Sequence, residues 1–154
     1  MAKIGIADTT FARVNMADLA IDVIKKNSEH EIERYTVPGF KDLTVACLRL
    51  FEDYNCDIVM AFGMAGAAPI DRQCAHEAST GLQNVELKVK KHIIEVFAHM
   101  DESNNDKELY QIAKNRAEKH ALNTLDLLKS KTALTKYAGI GRRQGKEDEG
   151  PIKL

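Results

Sequence analysis

The chain has 154 residues, 44% of them hydrophobic and 29% charged, which describes one globular domain able to bury its own core without a disulfide or metal staple. Lys and Arg number 22 against 23 Asp and Glu, and the net charge of −1 supplies no global field for nucleic acid or an anionic membrane. Cys47, Cys56 and Cys74 form no C-x-x-C pair, no apolar run reaches the ~18 residues of a membrane span, and Met-Ala-Lys is no signal peptide. Buried thiols in a reducing, cytoplasmic compartment are the expectation.

The first segment, Lys3 to Asp8, is short, apolar and without helical spacing, as expected of a buried parallel strand. Asn15 then stands in cap position before Met16, Leu19, Ala20, Val23 and Ile24, whose three- and four-residue steps predict a helix to Lys26. Glu31 to Val37 alternates apolar with charged residues, the period of a strand with a wetter face or an edge position. Pro38-Gly39 closes it, and a second helix is expected from Asp42 to Tyr54. Asp57 to Phe62 is the most apolar run and the best central strand. A small-residue loop, Met64 to Pro69, leads to a third helix over Asp71 to Lys90, with Cys74, Ala78, Leu82, Val85 and Val89 as its stripe. His92 to Ala98 reads as a fourth strand, Asp101 to Lys107 as a loop, and Leu109 to Leu128 as a long last helix.

Strands alternating with helices at short connections imply a parallel sheet with right-handed crossovers. The expected fold class is therefore α/β: one flavodoxin-like domain over residues 1–138, with a four-stranded parallel sheet and helices on both faces. The tail 139–154 has no apolar period, and its local reading is a disordered terminus.

In such a sheet ligands bind beyond the carboxyl ends of the strands. Four segments lie there: Asp8 to Arg13, Pro38 to Asp42, Gly63 to Glu77, and Phe97 to Asp101. Phe11 is either a staple on the first helix or a face for a planar heterocycle. Asp42 is locally a helix cap beside Lys41. Gly63-Met-Ala-Gly66 is no phosphate loop, and His76-Glu77 lacks the second histidine of a zincin. His76 reads either as a solvated histidine or as a proton carrier near neutrality. Receiver-domain and flavodoxin readings weaken, because Phe62 to Met64 offers no phospho-acceptor aspartate and Asp8 to Arg13 no glycine.

Asp8-Thr-Thr-Phe-Ala-Arg13, Val37-Pro-Gly-Phe-Lys-Asp-Leu43, Asp57-Ile-Val-Met-Ala-Phe-Gly63, Cys74-Ala-His-Glu-Ala-Ser79, His92-Ile-Ile-Glu-Val-Phe97 and Arg142-Arg-Gln-Gly145 occur in that order. Together they resemble the archaeal type of riboflavin synthase, within the lumazine synthase superfamily. The resemblance implies a dismutation: two 6,7-dimethyl-8-ribityllumazine molecules exchange a four-carbon unit, giving riboflavin and 5-amino-6-ribitylaminopyrimidinedione. No redox cofactor is implied, although a divalent cation such as magnesium is, with no ligand cluster to place it.

The resemblance also implies site roles. Phe11, with Thr10, would stack a lumazine ring. Pro38, Gly39, Lys41 and Asp42 would meet ribityl hydroxyls and ring edges, with Gly63 and Met64 nearby. His76 would transfer protons and Glu77 orient it or bind ribityl. A homopentamer with shared pockets is implied, with Glu95, Phe97 and His99 closing the neighbour's site and the tail covering it. Neither substrate is phosphorylated, so Arg142 and Arg143 keep no assigned role. Lumazine synthase itself and a non-catalytic flavin or lumazine carrier are the alternatives. The first is disfavoured because Gly63 to Pro69 lacks a Gly-Thr-rich phosphate-binding pattern.

Overall fold

The computed structural model describes residues Met1–Leu154. Four strands, β1 (Lys3–Thr9), β2 (Glu31–Val37), β3 (Ile58–Ala65) and β4 (Ile93–His99), alternate with helices α1 (Met16–Asn27), α2 (Leu43–Glu52), α3 (Pro69–Val89) and α4 (Asp106–Lys129). All strand pairs are parallel, in the order β2-β1-β3-β4. This is the expected α/β architecture.

The order explains the burial patterns. β3 has neighbours on both sides and helices on both faces, and all eight of its residues are buried. β2 is an edge strand whose residues are mostly exposed or half-buried, which is why its sequence alternates. One core, with Ile4, Ile6, Met60, Phe62 and Met64, lies under α1 and α4; the other, with Ala7, Leu43, Leu50, Val59 and Leu82, lies under α2 and α3. Each fully buried Ile or Leu contributes roughly 1.5–3 kcal/mol. Burial pushes the Cys56 thiol up to about 11 and Cys47 higher still, so both are inert apolar groups. Cys74 is only half-buried, contrary to expectation.

Capping follows the sequence at α1, and α4 begins at Asp106, inside the expected loop, where Asn105 caps it. Asn15 accepts the Asp18 N–H, and Asn105 accepts those of Lys107 and Glu108. Asp42 occupies the cap position of α2, but its side chain makes no capping bond there. The chain instead enters α2 through a 3-10 turn, Phe40–Asp42, so the first amide groups are already turned inward.

Three further departures bear on the site. β3 continues through Gly63 and Met64 to Ala65, since the β4 ladder pairs Gly63 with Phe97 and Ala65 with His99. The expected polar loop after β4 opens with a 3-10 turn over Met100–Glu102. The tail is ordered along α4: Lys119 donates to the Arg143 carbonyl (3.1 Å), Arg116 to that of Gln144 (3.2 Å), and the Gly145 N–H to Asn115 (2.8 Å). Gly145 has φ +87°, and a Cβ there would stand 2.6 Å from Arg116 Cζ, so only glycine admits the guanidinium. Polar partners replace the missing apolar period, which is why sequence periodicity reads this segment as disordered.

Candidate active site

The loops leaving β1 and β2 are stitched together beyond the sheet. The Thr10 N–H donates to the Val37 carbonyl (2.9 Å) and the Phe11 N–H to that of Pro38 (3.2 Å). The Thr10 hydroxyl also donates to Pro38 (3.3 Å). These bonds hold the backbone on both sides of Phe11 while its ring projects outward, 55% exposed. The staple reading fails, and the ring stands free beside the Pro38-Gly39 turn.

From that turn the chain dips inward at Phe40, which is buried, and returns to the surface at Lys41. The Phe40 ring lies over Gly63 of β3 and meets Phe97 of β4 edge-on, centroids 4.8 Å apart. Lys41 pairs with Glu77 of α3, which also accepts from Gln73 (3.0 Å). The Lys41 bond, then the Gln73 bond, holds the Glu77 carboxyl below its ordinary range. Asp42 is exposed beside Lys41. Arg72 of α3 reaches Asp101 beyond β4, so α3 is tied to both neighbouring exits.

Several expected site residues therefore converge: Thr10, Phe11, Pro38, Gly39 and Lys41 with Glu77. Four stand differently. Met64 is 1% exposed within the α1–α4 core, because it is a strand residue facing inward rather than a loop residue. Gly63 is covered by Phe40, and Phe97 packs on that same ring; both support the loop from beneath. His76 is exposed on α3, and its ring makes no hydrogen bond in the chain. Glu77, one residue on, faces Lys41 rather than orienting that ring.

Glu95 belongs to a second place. It accepts from Ser79 (2.9 Å), and burial raises its carboxyl above the ordinary range despite that bond. It lines a groove of about 520 Å³ along the outer side of β4, between α3, α4 and the tail. His99, two rungs past Phe97, is half-buried; its N–H donates to Glu102 (2.9 Å), which forms a two-pronged pair with Arg116 (2.7 and 2.9 Å).

Sequence reasoning missed Phe40, Ser79, His120 and Asn123. His120 carried a signal, since it lies on the apolar stripe of α4 between Ala117 and Ala121, where a polar ring is unusual. No group of three or more His, Cys, Asp or Glu side chains is placed to hold a metal ion.

The family model for 6,7-dimethyl-8-ribityllumazine synthase matches residues 1–132. Curated relatives align along almost their whole length. A riboflavin synthase of Methanothermobacter thermautotrophicus is 50% identical over 99% of this chain and 100% of its own. That of Archaeoglobus fulgidus is 47% identical over 97% and 98%, and that of Aeropyrum pernix 43% over 97% of both. With the strand-end loops and both sheet faces inside the matched region, the chain belongs to the 6,7-dimethyl-8-ribityllumazine synthase family.

Proposed function

We propose that this chain is a riboflavin synthase, transferring a four-carbon unit between two 6,7-dimethyl-8-ribityllumazine molecules to give riboflavin and 5-amino-6-ribitylaminopyrimidinedione. The observation that carries this reading is the alignment, end to end, with proteins of that name at 43–50% identity. The enzyme is a transferase whose reaction needs no external redox partner, because one substrate gains the carbons that the other loses.

The geometry suits this chemistry. Phe11 offers an exposed aromatic face on a backbone fixed by three hydrogen bonds, which favours stacking a planar ring at small entropic cost. Lys41, Asp42 and the Pro38-Gly39 turn supply donors and acceptors for ribityl hydroxyls. We assign proton movement at the strand ends to His76, whose exposed ring is open to substrate, and a positioning role to Glu77 through Lys41. Holding two rings face to face supplies much of the rate.

A homopentamer in the cytoplasm is part of the same reading. In it the β4 groove, with Glu95 and the tail at its rim, faces the strand ends of the next subunit, and His99 stands further along the same strand. The tail then helps cover a neighbour's site while bound to α4 of its own subunit. Three unpaired cysteines agree with a reducing compartment, and no helix is long and apolar enough to cross a membrane.

Incubation of the purified protein with 6,7-dimethyl-8-ribityllumazine tests the function. Riboflavin fluorescence is expected, and its absence overturns the reading. The family model's own name favours a second activity, lumazine formation from the pyrimidinedione and a butanone phosphate. Consumption of that pair without dismutation would install it instead.

A further inference from the structure

A groove larger than the cavity at the β1 exit runs along β4, and its polar lining is unusual. Ile93, Ile94, Leu127, Leu134 and Tyr137 give it apolar walls, and His120 of α4 shares it with Glu95. Its volume of about 520 Å³ is that of a small-molecule site. Nothing in the strand-end chemistry uses His120.

A chain of three side chains fixes how that histidine carries its proton. Arg142 lies over the Tyr137 ring, its Cζ 3.8 Å from the centroid, and has no carboxylate partner. Its Nη2 donates to Asn123 Oδ1 at 3.0 Å. A guanidinium only donates, so Asn123 must turn its oxygen to Arg142 and its amide N–H groups the other way. Asn123 Nδ2 stands 3.4 Å from His120 Nδ1. That nitrogen must therefore accept, which places the proton of the neutral imidazole on Nε2. His120 Nε2 makes no hydrogen bond within the chain.

We propose that Arg142, acting through Asn123, fixes His120 as the Nε2–H tautomer, and that this N–H donates to a ring carbonyl of a lumazine seated in the β4 groove. The proposal rests on the riboflavin synthase reading and assigns the tail arginine that phosphate recognition leaves unexplained. Of these three side chains His120 is the catalytic one, acting in addition to His76; Asn123 and Arg142 are positioning residues. A neutral imidazole gives its hydrogen bond without surrendering a proton, and the bond strengthens as negative charge gathers on the carbonyl. The groups facing His120 agree. Burial, then Arg116 one turn earlier on α4, lowers it to about 4. The facing carboxyl groups are Glu95 of β4 and Glu86 of α3, and Glu95 is shifted toward its neutral form.

The test is ¹⁵N-histidine NMR of the full chain at neutral pH, with and without 6,7-dimethyl-8-ribityllumazine. Wild type is expected to show His120 as Nε2–H, with signals that move as the lumazine is added. Asn123→Asp replaces the amide NH2 that faces His120 by an accepting oxygen and is expected to invert His120 to Nδ1–H. Its kcat should fall on the order of 10²-fold, with KM changed far less. Arg142→Lys keeps a donor and preserves the tautomer, whereas Arg142→Ala mixes the two and serves if Asn123→Asp fails to fold. A wild-type Nδ1–H tautomer, or His120 signals unmoved by a lumazine that is being turned over, overturns the inference while leaving the riboflavin synthase reading intact. Failure of wild type to make riboflavin overturns that reading, and the lumazine-induced shifts still decide this one.

Discussion

The ring of Phe40 fills the space that a side chain on Gly63 would need: a Cβ built on that glycine stands 2.6 Å from Phe40 Cζ. Gly63 is thus the slot through which the β2 exit loop is anchored to the centre of the sheet. Phe97 closes the slot from β4. Lys41, the next residue after Phe40, is aimed at Glu77 by that anchor.

Gly63→Ala is expected to force the ring outward and cost about 1–3 kcal/mol of stability, as overpacking does. Denaturant unfolding measures the loss, and KM for the lumazine should rise as the loop shifts. Adding Phe40→Leu should recover part of the stability but not the KM, because the smaller side chain fits the slot without the Phe97 edge contact.

Phe11→Ala removes an exposed ring from a backbone that is hydrogen-bonded regardless of side chain. Substrate affinity should fall by about 1–3 kcal/mol, the usual worth of one stacked base. The thermal midpoint should stay unchanged. Unaltered binding in a titration would remove Phe11 from the site.

Lys41 and Glu77 form an exposed pair, and such pairs add little to stability. Glu77→Gln should leave the unfolding midpoint in place while raising KM, because Lys41 loses the partner that orients it. The lowered Glu77 carboxyl adds a pH signature. Glu77 stays charged below the ordinary carboxylate range, so the wild-type KM should hold as acid is added until Glu77 itself is protonated. A KM that rises at the usual glutamate pH would show that the pair does not form in solution.

His120 gives a pH dependence of stability with a definite sign. Folding lowers it from 6.5 to about 4, so between those values the unfolded chain binds the proton that the folded chain refuses. Its contribution is complete above the unfolded value and is lost as pH falls toward 4, amounting to about 2–3 kcal/mol. Unfolding measured from pH 7 to 4 should show the loss, and His120→Gln should flatten that slope.

Much of the fold was legible because its signals are local. β1, β2 and the bodies of the four helices follow from apolar period, Asn15 and the Pro38-Gly39 stop. The end of β3 was not. Met64 and Ala65 look like the start of a small-residue loop until β4 pairs with them, and pairing between strands about thirty residues apart leaves no mark in either segment. The same holds for Phe97, which reads as a strand-end aromatic but packs on Phe40 from another element.

The sequence by itself determined the layer architecture, the strand-end loops that carry Phe11 and Lys41, the helix that carries Glu77, and the family, since each rests on contiguous residues in a fixed order. Tertiary structure alone decided which of those residues meet. It placed Gly63 beneath Phe40, turned Glu77 toward Lys41 instead of His76, and laid the tail on α4 so that Arg142 reaches Asn123 and, through it, His120. Those relations depend on side-chain direction and on groups brought together from distant parts of the chain, and hydrogen-bonding donors and acceptors acquire their roles only once their partners are in place.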